Sequence, residues 1–398
     1  MEQARPKLWT KDFIIISAAN FFLYLIFYLL LVTIAVYAVN HYHASESQAG
    51  LVTGIFIIGT LIGRLVIGRI IESVGNRKTM LFGLIFFILT SLLYYIDSGV
   101  TFLLFTRFVH GLALGVASTA TGTIVAQIIP NARKGEGIGY YSMSTTMATA
   151  IGPFIGLYMS QHTSYSAIFS FCLALGLISF IIALFMKVPE VKASAKKAAV
   201  KGGFKLSNYI EPKALPIALV TLIAGICYAS VLSFINFYAI EINLVSVASF
   251  FFIVYAVAIL VSRPITGRLM DVKGANYVMY PTFILFAAGL LLLSSASSGT
   301  IFLLSGVLIG FGFGNIQSCS QAIAVKVTPL ERMGLATSTY FIALDAGLGF
   351  GPYVIGFIIP LTGYRNLYLI MAIVALACTV LYYIMHGKRK ETLAEVRL

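Results

Sequence analysis

The sequence predicts an all-α integral membrane protein of twelve transmembrane helices, built as two six-helix halves related by a pseudo-twofold axis along the membrane normal. Three observations predict it. First, hydrophobic residues make up 59% of the 398 and charged residues 10%, with a mean hydropathy of +0.95. Such a composition cannot clothe a soluble domain in polar groups. Second, apolar stretches of roughly 20 or more residues recur along the whole length, each long enough to cross about 30 Å of hydrocarbon as a helix. Third, the chain matches itself at an offset of 199, half of its 398 residues.

Apolar periods and breakers place the spans at 12–40, 47–71, 78–96, 100–130, 135–160, 165–188, 213–240, 246–271, 276–295, 299–327, 332–360 and 363–386. The first run is too long for the apolar core of a signal peptide and has no clear cleavage site, so it reads as a retained span. An even span count puts both termini on one side. All 27 Lys and Arg residues except Arg107 and Arg365 then fall on the side of the N-terminus, with Arg64, Arg69, Arg77 and Lys78 assigned together to the turn after span 2. By the positive-inside rule, that side is cytoplasmic. The one long polar stretch, 189–212, is rich in Lys and Ala and reads as a cytoplasmic linker between an N-terminal half, 1–188, and a C-terminal half, 213–398.

The net charge of +13 is accounted for by basic flanks meeting anionic lipid headgroups. No basic run is interleaved with exposed aromatics, which argues against nucleic acid. Cys172, Cys227, Cys319 and Cys378 each stand alone in apolar surroundings, with neither a disulfide framework nor metal-ligand spacing. No phosphate loop or catalytic motif occurs, so no enzyme activity, cofactor, metal or nucleotide is expected.

The internal repeat aligns LIGRLVIGRIIESVG at 61–75 with LVSRPITGRLMDVKG at 260–274. It pairs Gly68 with Gly267, Glu72 with Asp271 and Gly75 with Gly274. It also pairs Gly152-Pro153 with Gly351-Pro352. Six spans per half gives the halves parallel topology, an arrangement suited to rocking around a midplane site.

Ionisable groups at membrane depth cost about 2.5–3.5 kcal/mol each on insertion scales, so the few that occur deserve roles. Of 14 acids, only Asp345 is deep. It lies about eleven residues, roughly 16 Å, into span 11. Hydrocarbon favours the neutral form of a carboxyl, which suits Asp345 to a proton or substrate-cation site; the alternative is a static acid bonded between helices. Arg107 is the one base assigned to the interior of a span. It could snorkel outward or point inward towards an acid or an anionic ligand. His110, one turn on, shares its face and could titrate or merely pack. Pro153 and Pro352 free a carbonyl and bend their helices.

Three motifs resemble the major facilitator superfamily, over essentially the whole chain. The turn after span 2, with Gly68, Glu72, Gly75, Arg77 and Lys78, is similar to its G-x-x-x-[D/E]-[R/K]-x-G-x-[R/K]-[R/K] signature, with Ser73 where a base is usual. A degenerate copy stands at Gly267, Asp271 and Gly274. Arg107 and Gly111 in span 4 resemble the R-x-x-x-G pattern of the drug:proton antiporter branch. In span 5, Gly139, Gly152, Pro153 and Gly156 resemble the antiporter motif, with Ala148 and Leu157 replacing two of its glycines. The twelve-helix branch concerned also contains opine-metallophore exporters of bacteria.

The resemblance implies a proton-coupled exporter in the bacterial cytoplasmic membrane, working by alternating access. Its partners would be protons, membrane lipid and a small-molecule substrate, either an amphipathic drug-like compound or a polar metabolite such as an opine metallophore. The chain is expected to act as a monomer. The resemblance also implies that Glu72 faces the start of span 11 near Arg332 to Leu335 as a gate, that Arg107 points inward, and that spans 1, 4, 7 and 10 line the cavity. The polar candidates there are Asn20, Tyr24, Tyr28, Asn236, Tyr238, Asn315, Gln317 and Gln321. Two other readings use the same fold: an uptake symporter or facilitator, and a transport-inactive sensor or lipid-handling protein.

Overall fold

In the computed structural model the described residues are 6–188 and 208–388. Of the expected linker at 189–212, residues 189–207 lie outside them. Regular structure among the described residues is helical throughout. The N-terminal helices are α1 (Lys11–Tyr42), α2 (Glu46–Val74), α3 (Asn76–Leu92), α4 (Gly99–Ile128), α5 (Lys134–His162) and α6 (Tyr165–Leu184). The C-terminal ones are α7 (Leu215–Glu241), α8 (Val245–Lys273), α9 (Asn276–Ser294) and α10 (Gly299–Lys326). The final helical stretch, Met333–Tyr382, contains Gly363 at φ 71°, ψ 173°. That residue divides it into α11, 333–362, and α12, 364–382.

Ten helices among the described residues are long and apolar enough to cross a membrane, the last stretch counting as one. Dividing that stretch at Gly363 and adding α5 brings the number to twelve. α5 is 29 residues long but carries a run of Ser and Thr from Ser142 to Thr149 that lowers its hydropathy. Those hydroxyls are absorbed by backbone carbonyls and by neighbouring helices.

The turns are written into the sequence. Thr10 caps α1 by accepting the Phe13 amide, and Ser45 and Gln48 form a reciprocal capping box on α2. Gly75 (φ 94°) and Gly274 (φ 92°) make the equivalent tight turns after α2 and α8; a side chain would be strained at either position. In α10, five residues at Gly310–Gly314 are wound more widely, as a π-type segment.

Within each half the helices pack in matching pairs, α1 on α5 and α7 on α11, α2 on α4 and α8 on α10. The halves meet along α2 with α11 and α5 with α8. Helix ends identify one common face. Arg133 Nη1 donates to the Pro6 carbonyl at 2.8 Å, the Lys187 amide to Asp12 Oδ1 at 2.8 Å, and Asn276 Nδ2 to the Gly387 carbonyl at 3.1 Å. The first and last described residues therefore share a face with the Gly75 and Gly274 turns, called here the basic face. Large apolar side chains such as Phe82, Phe154 and Phe357 point outward from the bundle, as lipid-facing residues must.

Candidate functional site

Two equivalent contacts, called locks here, join the halves at the basic face. In the first, Glu72 near the end of α2 accepts the Gly334 amide through Oε1 at 2.8 Å. In the second, Asp271 near the end of α8 accepts the Gly135 and Glu136 amides at 2.7 and 2.8 Å. Each acid thus caps the N-terminus of a helix in the opposite half, where unpaired amides and the helix dipole favour negative charge. The internal offset relates the two locks residue by residue. Glu72 stands where the resemblance placed it, against the start of α11, and the degenerate copy proves equally engaged. Asp271 also pairs with Lys326 at 2.9 Å. A Cβ on Gly68 would lie 2.5 Å from Ser338, and one on Gly267 2.7 Å from the Glu136 backbone, so glycine is what lets the halves touch. Ser338 Oγ donates to the Arg64 carbonyl at 2.7 Å.

Flanking groups brace this face. Arg133 binds Glu136 through two hydrogen bonds of 2.7 and 2.8 Å, which hold its guanidinium above its ordinary pKa. Arg77 Nη2 donates to the Leu184 carbonyl at 3.1 Å, tying α3 to α6, whereas Lys78 is exposed. Buried Glu211, at the described end of the linker, pairs with the partly exposed Arg332. Its amide donates to Thr339 Oγ1 at 2.8 Å.

Beneath the locks, at mid-depth between the halves, lies a cavity of about 120 Å³. It is lined by Tyr24, Phe27 and Tyr28 of α1, by Phe56, Thr60 and Arg64 of α2, and by Tyr141, Ser142 and Thr145 of α5. Across from them stand Gln317 and Gln321 of α10 and Phe341 and Asp345 of α11. Asp345 is where the sequence places it, but its partner is Arg64. Arg64 Nε donates to Asp345 Oδ2 at 2.8 Å, with side-chain exposures of 1% and 21%. Arg64 Nη2 reaches the Tyr24 hydroxyl at 3.4 Å, and its guanidinium lies over the Phe341 ring at 4.4 Å. The pair therefore joins α2 of one half to α11 of the other.

Arg64 corrects the sequence reading, which counted it with the basic turn and left Arg107 as the only base inside a span. Arg64 lies within α2, about ten residues before the Gly75 turn, and a charge survives there because a carboxylate of the other half meets it. Its repeat mate Arg263 is likewise buried in α8. Arg263 donates to the Gly314 carbonyl at 3.2 Å and the Gly139 carbonyl at 3.5 Å. The offset places Thr146 where a second acid would stand. The available signal was the register of Arg64 with Arg263, two arginines at one position of a repeat and both inside apolar runs.

Arg107 and His110 are a second correction. They do not reach the cavity or Asp345. Arg107 is fully buried, donating from Nε to the Val52 carbonyl at 3.1 Å and from Nη1 to Tyr94 OH at 3.2 Å, with its guanidinium 4.3 Å above the Phe56 ring. His110 bridges Ser91 Oγ at 3.2 Å and Tyr94 OH at 3.0 Å. Together they fasten α4 to α2 and α3 inside one half.

Of the polar cavity candidates, Tyr24, Tyr28, Gln317 and Gln321 line the cavity. The others do not. Asn20 is saturated by Ser144, Thr145, Thr121 and Tyr141 between α1, α4 and α5. Asn315 is held by Ser262, Thr266 and the Phe311 carbonyl. Tyr238 donates to the Leu293 carbonyl at 3.0 Å, far along α7, and Asn236 is exposed. Being on a cavity-lining helix did not put these side chains on its inner face. The span 5 motif is a packing seam: a Cβ on Gly152 would meet Tyr28 Cβ at 2.8 Å, and one on Gly156 the Leu29 carbonyl at 2.8 Å. Pro153 lies inside α5 next to that seam.

The profile of the Major Facilitator Superfamily matches residues 16–342 and 244–397. The chain is 25% identical over 352 residues to an uncharacterised MFS-type transporter of Methanocaldococcus jannaschii, covering 86% of this chain and 89% of that protein. It is 20% identical over 353 residues to a staphylopine export protein of Staphylococcus aureus, covering 86% and 88%. Among solved structures, the transporter FucP in its outward conformation superposes with a TM-score of 0.76 at 16% identity, covering 97% of this chain and 100% of that one. The human organic anion transporter MFSD10 gives 0.75 at 14% identity, covering 95% and 100%. With a matching profile over nearly the whole chain, a matching fold and a cavity between two six-helix halves, this protein belongs to the Major Facilitator Superfamily.

Proposed function

We propose that this transporter exports a small organic molecule across the bacterial cytoplasmic membrane in exchange for protons, with the basic face cytoplasmic. The observation that carries the reading is the Arg64–Asp345 pair lining the cavity between the halves. A carboxylate at this depth has one arginine as its partner and is still partly exposed to the cavity, so it can take up a proton. Protonation removes the charge that holds Arg64, and with it a tie between α2 and α11. A cationic group of a substrate needs the same carboxylate in its charged form. Proton and substrate then compete for Asp345, and competition for one site is what converts a proton gradient into exchange. The Glu72 and Asp271 locks close the basic face while the cavity faces the other way; they must open for cytoplasmic loading.

Export rather than uptake is supported by the resemblance of the span 5 glycines and Pro153 to the antiporter motif and by the likeness to a staphylopine export protein. The substrate is an amphipathic drug-like compound or a polar metabolite of the opine-metallophore kind.

The test uses inverted vesicles from a strain lacking its major efflux pumps, acidified inside and loaded with acridine orange. A panel of amphipathic cations, zwitterions and acids is added. An exported compound relieves the quench in wild-type vesicles and leaves Asp345→Asn vesicles unchanged. Equal relief in both would end the proton-exchange reading.

A further inference from the structure

The cavity contains more polar capacity than its own residues use. Arg64 Nη1 is buried without a hydrogen-bond partner, as is Gln321 Nε2, and their residues are 1% and 3% exposed. Both residues line the same cavity. Leaving a buried donor unpaired costs about 1–3 kcal/mol, more when it is charged, and two such donors on residues that line one cavity call for an acceptor. Gln321 is otherwise only weakly engaged, its Oε1 accepting from Ser142 at 3.4 Å. On the other side, Asp345 gives Oδ2 to Arg64 and keeps 21% of its side chain exposed, so its carboxylate retains acceptor capacity. Much of the remaining wall is aromatic, with Tyr24, Phe27, Tyr28, Phe56 and Phe341.

We infer that the substrate carries a zwitterionic head on an apolar body, its carboxylate received by Arg64 Nη1 and Gln321 Nε2 and its ammonium by the Asp345 carboxylate. The Arg64–Asp345 pair makes the cavity close to neutral, so a ligand with a single net charge would leave one charge uncompensated in a low-dielectric site. A zwitterion adds no net charge and meets each unpaired group with its complement. The Phe341 and Tyr24 rings take the apolar part. This deepens the exchange reading and rests on it only for its direction. The ammonium is the group that competes with the proton, and the carboxylate selects among compounds that carry one.

Four probes with one body separate the charges: phenylalanine, phenylalaninamide, N-acetylphenylalanine and N-acetylphenylalaninamide. Binding is read as thermal stabilisation of the full chain in lipid nanodiscs at neutral pH, with no gradient. Phenylalanine stabilises the protein most. Gln321→Leu weakens phenylalanine about tenfold, the loss of one hydrogen bond to a charged group, and leaves phenylalaninamide unchanged. Gln321→Glu, which keeps the volume and repels a carboxylate, weakens phenylalanine further and strengthens phenylalaninamide. The inference is overturned if phenylalaninamide equals phenylalanine, if Gln321→Leu weakens all four alike, or if no probe stabilises the protein at millimolar concentration. Zwitterion binding without gradient-driven flux would keep this inference and remove the exchange reading. Proton-driven flux of purely cationic compounds would do the reverse.

Discussion

Arg64 and Asp345 exist at mid-depth because each neutralises the other, and that fixes what substitution does to them. Removing one partner of a buried pair leaves an uncompensated charge, at a cost of about 3–5 kcal/mol. Arg64→Gln is therefore expected to lower the melting temperature in detergent more than the double variant Arg64→Gln, Asp345→Asn, in which no lone charge remains. Additive losses would show that the two side chains stabilise the bundle independently. His110 gives a contrasting expectation. Its ring is held by Ser91 and Tyr94 inside the N-terminal half, so His110→Asn costs about 1–2 kcal/mol of stability from unsatisfied partners and leaves the pH profile of transport in place. A shifted profile would return His110 to the coupling machinery. Asp345 was legible in the sequence because a single acid stood deep in an apolar span. Arg64 was not, since an arginine about ten residues from a turn can be assigned to either solvent or membrane until its partner, 281 residues away, is brought beside it.

At the scale of elements, the chain has two locks of one design, an acid at the end of one helix capping the start of a helix in the opposite half. Glu72 serves α11 and Asp271 serves α5. Each cap is worth about 0.3–1 kcal/mol when exposed and up to ~2 when partly buried, so neither alone holds the face shut. Glu72→Gln with Asp271→Asn should shift the population towards opening of the basic face. A cysteine introduced at Ser142 would then react faster with a water-soluble maleimide supplied from that face than it does with the locks intact; an unchanged rate would mean that packing at Gly68 and Gly267 closes the face unaided. The span 5 seam predicts a different failure. Gly152→Leu drives a side chain into Tyr28 and the Leu25 carbonyl, prising α5 from α1, and should reduce folded yield rather than alter substrate preference. The helices and their order could be read from apolar periods, Gly75, Gly274 and the capping residues. Which face of a helix meets the cavity could not be read, because spans such as α1 and α7 are apolar all round and carry no directional pattern. Asn20 and Tyr24 sit four residues apart on α1, yet one is spent binding α4 and α5 and the other touches the cavity.

For the whole molecule, the repeat is nearly symmetric in its gates and asymmetric in its charges. Arg64 meets a carboxylate, whereas Arg263 meets two carbonyls with Thr146 at the equivalent of Asp345. On the proposed reading, this one acid between two otherwise matched halves would leave a single protonation to drive the cycle. The distribution of Lys and Arg puts the basic face in the cytoplasm on the positive-inside rule. It predicts that a membrane-impermeant thiol reagent added to intact cells labels Asp97→Cys and Thr362→Cys but not Lys273→Cys or Lys388→Cys, and labelling of the latter pair would invert the orientation. On the proposed reading, protonation of Asp345 couples proton movement to substrate movement. Its most direct test is internal pH, reported by pyranine, in proteoliposomes given an outward gradient of a compound against which the chain protects a pump-deficient strain. Wild-type protein should move protons against the substrate and Asp345→Asn should move none, whereas wild-type proton flux in Asp345→Asn would leave Asp345 with no coupling role.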